Sequence, residues 1–266
     1  MEPDFAQNAA FHDDLAAHYD VHLRSSPYND LARAAFQDLV ARLVPAGSTL
    51  LDFGCGTGLD ALHYAQQGYR VLAYDNSPGM MEQLKVRCRT QISSGAVTTC
   101  AAGYPSFLDG LPACAAPDAV VSNFAVLNSI RDLSPLFETF ARQLRPPGWI
   151  IVSVLNPLHW AKVKMPGWWH DAWRSPTGPR LFSTQPYATY LHFVPAVLRA
   201  AGRFHLVGRA NAGLFVRYDA VRPAGGPRLW WGHADSSKNQ TARVLWRTPA
   251  FRLLGHFLFL VLRRDT

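Results

Sequence analysis

Apolar and polar positions follow two periods along the first 155 residues. Phe5, Ala9, Leu15, Ala16 and Tyr19 recur at helical spacing, which predicts a helix over residues 5–22. A second helix is predicted from Leu31 to Leu43, with Asp30 as its cap. Its inward face reads as Leu31, Ala34, Ala35, Leu39 and Leu43, and Pro45-Ala46-Gly47 ends it. Short apolar runs and helical stretches then alternate. The runs Thr49–Phe53, Val71–Tyr74, Ala96–Ala101, Ala119–Ser122 and Trp149–Leu155 read as strands. Between them lie helices over Asp60–Gln67, Pro78–Arg89 (capped by Ser77) and Leu136–Leu144, with a loop after the third strand through Pro112. This alternation predicts an α/β fold, a doubly wound parallel sheet with helices on both faces.

From Asn156 the pattern breaks. Residues 157–180 hold Trp160, Trp168, Trp169, Trp173, His159, His170 and several prolines, which reads as an irregular insertion. Leu181–Phe193 has room for a strand, Pro195–Ala201 reads as a helix ended by Gly202, and Phe204–Arg209 and Leu214–Tyr218 read as strands. Arg222–Gly232 reads as a Pro/Gly loop, residues 240–256 as partly helical, and Phe257–Arg263 as a closing strand. Three units follow: a helical lid over 1–45, a core over 46–156, and an insertion or cap over 157–266 that also supplies the remaining strands.

The chemistry concentrates at Leu50-Leu51-Asp52-Phe53-Gly54-Cys55-Gly56-Thr57-Gly58-Leu59-Asp60, an apolar strand that runs into D-x-G-x-G-x-G and then a helix. Glycines lack Cβ, so a ligand can approach the backbone and positive φ costs little. The helix after the turn offers unpaired N–H groups and a positive dipole end. Seventeen residues past Gly58, the second strand ends in Asp75, placed to bind the two hydroxyls of a ribose. Dinucleotide folds use G-x-G-x-x-G around a pyrophosphate. Here the spacing is G-x-G-x-G, and Asp52 would repel a pyrophosphate but suits a ligand with a positive amino group. No Gly-Lys-Ser/Thr follows, which excludes a P-loop.

Composition narrows the picture further. The chain has 266 residues, 48% of them hydrophobic, with a formal charge of +7. The basic residues are scattered, with no run of five and no aromatic-basic interleaving, so a nucleic-acid face is not the expected source of the charge. Cys55, Cys88, Cys100 and Cys114 lack disulfide-framework or zinc-ligand spacing, and reduced thiols in a cytosolic protein are expected. Cys55 lies inside the glycine turn, where a small side chain is needed for packing. Met1-Glu2-Pro3-Asp4-Phe5 lacks an apolar core, so no secretory signal is expected. The longest apolar run, Phe257–Leu262, is far short of the ~20 residues that span a bilayer.

On these residues the chain resembles the class I S-adenosylmethionine-dependent methyltransferases of small-molecule type, most closely over residues 12–155. The resemblance implies a Rossmann-like, mostly parallel seven-stranded sheet with a C-terminal antiparallel hairpin. It implies S-adenosylmethionine as cofactor and S-adenosylhomocysteine as product. Leu15-Ala16-Ala17-His18-Tyr19-Asp20 is similar to the A-x-x-Y-D stretch that precedes the core in many relatives and makes Tyr19 a lid contact. Asp52, Gly54, Cys55, Gly56 and Gly58 correspond to the cradle of the donor's methionine end, Asp75 to the ribose ligand, and Asn76 and Met80 to the flanks of the adenosine. Asn123 and Phe124, in the exit of the fourth strand, correspond to the pocket lining. The acid that many relatives carry after the third strand is absent, since Ala101-Ala102-Gly103-Tyr104 stands there. The motif of exocyclic-amine base methylation and the Pro-Cys nucleophile motif are absent too, which argues against DNA as substrate.

A small acceptor is therefore expected, apolar or aromatic, with O-methylation as the default reaction and secondary metabolism as the setting. His159, His170 and His192 are candidate bases or substrate contacts by position. Trp160, Trp168, Trp169 and Trp173 suggest an aromatic acceptor pocket. The same residues leave three alternatives open: an RNA-modifying methyltransferase, a relative that binds the donor without transferring methyl, and a non-enzymatic binding module.

Overall fold

The computed structural model describes residues 3–24, 27–110, 116–159, 189–212, 216–217, 228–229 and 256–264. The N-terminal helical region is α1 (Pro3–Leu15), a 3₁₀ turn (Ala16–His18), α2 (Tyr19–Arg24) and α3 (Pro27–Leu43). The core follows as β1 (Thr49–Phe53), α4 (Leu59–Gln66), β2 (Arg70–Asp75), α5 (Pro78–Arg87), α6 (Arg89–Ser93), β3 (Val97–Ala101), α7 (Tyr104–Asp109), β4 (Ala119–Ser122), a 3₁₀ turn (Val126–Ser129), α8 (Ser134–Gln143) and β5 (Trp149–Leu155). Then come α9 (Val194–Ala201), β6 (Phe204–Ala212), β7 (Val216–Arg217), β8 (Arg228–Leu229) and β9 (Phe257–Arg264).

Seven strands form one sheet in the order β3-β2-β1-β4-β5-β9-β6. Neighbours from β3 to β5 are parallel, and β9 runs antiparallel between β5 and β6. The mostly parallel α/β sheet and its C-terminal antiparallel strands are thus as expected. The chain passes from β3 at one edge to β4 beside β1, which puts the switch in strand order at β1 and β4. Ligand crevices in open α/β sheets form at that point, outside the carboxyl ends of the strands.

Each face of the sheet buries its own core. Leu50, Val71, Ala73 and Val121 pack toward α3, α4 and α5, against Phe36, Val40, Tyr64, Met81 and Leu84. Leu51, Leu72, Val120 and Val152 pack toward α7, α8 and α9, against Phe107, Phe137, Phe140 and Val197. The strands are buried on both faces, which is why they read as continuous apolar runs instead of alternating ones.

Several local expectations need correction. The first predicted helix is divided by the 3₁₀ turn at Ala16–His18. Asp30 is not a cap, because α3 begins at Pro27 and Asp30 lies in its first turn. The buried face of α3 is Ala32, Phe36 and Val40, while Leu31 is 60% exposed and Ala34 and Ala35 face outward. Phe36 decides this rotation: its ring meets Phe259 edge-on at 5.3 Å, and burying it turns Leu31 to the outside. The helix predicted over Pro78–Arg89 ends at Arg87, and α6 starts after Cys88. Ser77 does cap α5, accepting the Met80 N–H at 3.1 Å. The loop after β3 contains α7, which Gly103 opens with Pro105 in its first turn. The loop predicted over Arg222–Gly232 contains β8, paired with β7 in a separate antiparallel ribbon. In the stretch from Leu181 to Phe193, residues 181–188 lie outside the described residues, and Tyr190 makes an isolated bridge. The expected helix over 240–256 lies outside them except for His256.

Candidate functional site

A cavity of ≈ 310 Å³ opens at the carboxyl ends of β1, β2, β4 and β5, roofed by the N-terminal helices. Tyr19, Gly54, Cys55, Gly56, Asp75, Asn76, Met80, Asn123 and Phe124, all singled out from sequence, line it together.

The glycine turn takes positive φ at Gly54 (+77°), Gly56 (+52°) and Gly58 (+83°), but the three do different work. A Cβ at Gly54 would lie 2.4 Å from Val126 Cγ2, and one at Gly58 would lie 2.8 Å from Leu84 Cγ. Those two are required by packing. A Cβ at Gly56 would meet nothing nearer than Tyr19 Cε1, at 4.0 Å. Of the three, this glycine alone has room for a Cβ, and it lines the cavity with the lid tyrosine above it.

Asp75 ties the turn to the second strand. Its Oδ2 accepts the Gly56 N–H at 2.8 Å and its Oδ1 the Ser77 N–H at 3.0 Å. A carboxylate has about four acceptor sites, so capacity is left for a vicinal diol. Burial pushes the Asp75 carboxyl above the usual range, while the N–H groups of Ser77 and Gly56 and the nearby His12 pull it back. Asp52 is 2% exposed and is not among the cavity-lining residues. Burial first, then the negative charge of Asp60, holds its carboxyl well above the ordinary value, with Arg33 acting the other way. Among the described residues its Oδ2 has no hydrogen-bond partner. Burial, reinforced by Asp75 and Asp52, pushes the Cys55 thiol up, which keeps it from acting as a thiolate nucleophile.

Two acids fasten the N-terminal helices over the turn. Asp13 of α1 accepts from Ser77 Oγ and from the Gly79 N–H at 2.8 Å. Asp20 of α2 accepts from Thr57 Oγ1 at 2.6 Å and pairs with Arg87, whose Nε donates to the Thr57 carbonyl at 2.8 Å.

Sequence reasoning missed the second polar group. Arg33 of α3 pairs with Asp60, and Gln37 Nε2 and Asn123 Nδ2 donate to the same carboxylate at 2.7 and 3.2 Å. The Arg33 guanidinium lies 4.4 Å above the centre of the Phe124 ring. The i,i+4 spacing of Arg33 and Gln37 on one helix face was the available signal, but nothing local says that this face meets Asp60. His12, His256 and Phe257 also line the cavity and were not singled out as its walls, and Asn128, in the exit of the fourth strand, lines it as well.

Two of the three candidate bases do not line the cavity. His159 and His192 are buried and are not among the cavity-lining residues. His192 Nε2 donates to the Ile130 carbonyl at 2.9 Å, and burial lowers its pKa, so the ring is neutral at pH 7. The His159 ring packs against His256 at 5.5 Å. His170, Trp160, Trp168, Trp169 and Trp173 lie outside the described residues. Among the described residues no helix is long and apolar enough to cross a membrane, and no cluster of His, Cys, Asp and Glu could hold a metal ion.

Residues 28–192, more than half of the chain, match a family model described as a methyltransferase domain. The chain is 31% identical over 139 residues to carboxy-S-adenosyl-L-methionine synthase of Vibrio parahaemolyticus, covering 50% of this chain and 55% of that protein. It is 28% identical over 165 residues to malonyl-[acyl-carrier protein] O-methyltransferase of Serratia marcescens, covering 59% and 57%. The chain thus spans a little over half the length of these curated relatives. Among solved structures, it is similar to 1,6-didemethyltoxoflavin-N1-methyltransferase of Burkholderia thailandensis, solved with S-adenosylhomocysteine bound (TM-score 0.58, 17% identity, covering 100% of this chain and 92% of that one). That last likeness is one of fold.

Proposed function

We propose that this chain, which belongs to the methyltransferase-domain family and has the class I S-adenosylmethionine-dependent fold, transfers a methyl group from S-adenosylmethionine to a small acceptor. One observation carries the reading. Asp75 and the open Gly56 backbone, hydrogen-bonded to each other, face the same cavity as Tyr19, Asn76 and Met80. The residues fit the cofactor. Asp75 has acceptor capacity for the ribose hydroxyls, Gly56 admits close approach, and Asn76 and Met80 border the nucleoside end.

When bound, S-adenosylmethionine supplies a methyl group activated by its sulfonium. The protein's part is alignment and exclusion of water. Tyr19 and the latched helices α1 and α2 close the cavity from above. Phe124 and Phe257, whose rings meet at 5.7 Å, give it an apolar wall. These rings, with Phe11 and Phe53, support an apolar or aromatic acceptor. The name of the Serratia relative supports transfer to oxygen. Secondary metabolism in the cytoplasm completes this reading. The test is incubation with the donor and a panel of phenols, acids and polyketide-like alcohols, read by mass. A gain of one methyl group on an acceptor supports the proposal, and no gain across the panel with the donor bound counts against it.

The Vibrio relative favours a second reading, in which the chain binds or remodels the donor without passing its methyl on. A product derived from the donor, with no acceptor gaining a methyl, would favour it.

A further inference from the structure

Among the described residues, three buried asparagines line the cavity: Asn8, Asn123 and Asn128. Two of them are bonded at both ends of the amide. Asn123 Nδ2 donates to Asp60 at 3.2 Å, and its Oδ1 accepts the Phe124 N–H at 2.8 Å. Asn128 Nδ2 donates to the Tyr190 carbonyl, and its Oδ1 accepts the Leu155 N–H at 2.9 Å. Asn8, on α1, differs. It is 7% exposed, yet its carboxamide makes no hydrogen bond among the described residues. The bond it shares with His12 Nδ1, at 2.8 Å, runs to its backbone carbonyl. Neither amide atom is sealed from solvent, and the residue lines the cavity, so the amide is reached from there. Asn8, Phe11, His12 and Leu15 recur at helical spacing and form the cavity face of α1. The contacts of Asp13 with Ser77 and Gly79 hold that face in place. A polar group so nearly enclosed calls for partners, since taking it from water is costly unless it is hydrogen-bonded.

We infer that the Asn8 carboxamide reads a ligand edge on which a hydrogen-bond donor and an acceptor stand side by side, and so sets specificity at the lid. An amide presents an acceptor oxygen and N–H donors in one plane. It pairs at two points with such an edge, as asparagine does with the amino group and ring nitrogen of adenine. Two sources offer this chemistry. One is the nucleobase of the methyl donor, to which Ala101-Ala102-Gly103-Tyr104 offers no acid. The other is a second small ligand bearing a carboxamide or lactam. The first source rests on the proposed function, the second on the cavity alone.

Calorimetry with S-adenosylhomocysteine and with its 6-deamino analogue, on wild type and Asn8→Leu, separates the sources. Leucine keeps the approximate shape and loses both polar atoms. If the nucleobase supplies the edge, wild type binds S-adenosylhomocysteine about fivefold or more tighter than the analogue, and Asn8→Leu abolishes that difference. If a second ligand supplies it, both nucleosides bind wild type and variant alike. Benzamide, as a carboxamide probe, then binds the S-adenosylhomocysteine-loaded wild type about fivefold or more tighter than the loaded variant. The inference is overturned if Asn8→Leu changes neither the discrimination between the nucleosides nor the affinity for benzamide. Because the amide makes no bond to the fold, the variant should melt near the wild-type temperature. Failure of both Asn8→Leu and Asn8→Ala to fold would show that the amide serves the fold, and overturns the inference. If wild type binds neither nucleoside, the donor reading fails by itself. Asn8 is then judged on benzamide and the unliganded protein: uptake that Asn8→Leu loses supports the inference, and no uptake or equal uptake overturns it.

Discussion

The Asp75 carboxylate accepts the Gly56 N–H at 2.8 Å, so the acid at the end of the second strand and the middle glycine of the turn form one unit. Asp75→Ala removes that tie along with the ribose acceptor. It should weaken S-adenosylhomocysteine binding by about 1–3 kcal/mol. Calorimetry checks this, and equal affinity for variant and wild type contradicts the assignment of Asp75.

The glycines of the turn separate packing from binding. Gly54→Ala drives a Cβ to 2.4 Å from Val126 and holds alanine at φ +77°, so it should destabilise the fold by about 1–3 kcal/mol or more. Gly56→Ala meets no clash and should cost only about 1–2 kcal/mol for its left-handed backbone, yet lower donor affinity. Chemical denaturation beside calorimetry would show this as two different rankings of the same pair. Identical rankings would refute the division of roles.

The lid depends on partly exposed latches. Asp20→Ala leaves Thr57 Oγ1 and Arg87 without their shared acceptor and should cost about 1–3 kcal/mol. Limited proteolysis should then cut within the first 24 residues faster than in wild type. An unchanged cleavage rate would mean that α1 and α2 are held by other contacts.

Much of this site was legible because its parts are local. The D-x-G-x-G-x-G turn, the acid at the strand end and the Ser77 cap each lie within a few residues of the signal that marks them. Arg33 and Asp60 are different. They are 27 residues apart on two helices, and only the rotation of α3 about Phe36 brings them together. The same rotation defeats the inward face predicted for α3, because Leu31 and Phe36 offered competing faces and the contact with Phe259, far along the chain, decides between them. The order of the last strands is equally non-local: β9 inserts between β5 and β6, and no pattern within Phe257–Arg264 specifies its neighbours.

Asp52 should make stability depend on pH. Its folded carboxyl is held above the unfolded value by burial and by Asp60. The folded state therefore keeps a proton that the unfolded state releases, and stability falls as pH rises from the ordinary carboxylate range toward the raised folded value. Asp52→Asn removes this ionisation. Relative to wild type, the variant should gain stability across that window, by up to about 1.4 kcal/mol per pH unit. Melting curves from pH 4 to pH 8 test it, and a difference that does not vary with pH argues that Asp52 titrates normally.

The central claim is that the cavity at the ends of β1, β2 and β4 holds a methyl donor. Calorimetric titration of the wild-type protein with S-adenosylmethionine and S-adenosylhomocysteine tests it most directly. Saturable binding of both, one molecule per chain, is the expected result. The absence of binding by either would mean that the glycine turn and Asp75 serve only the fold.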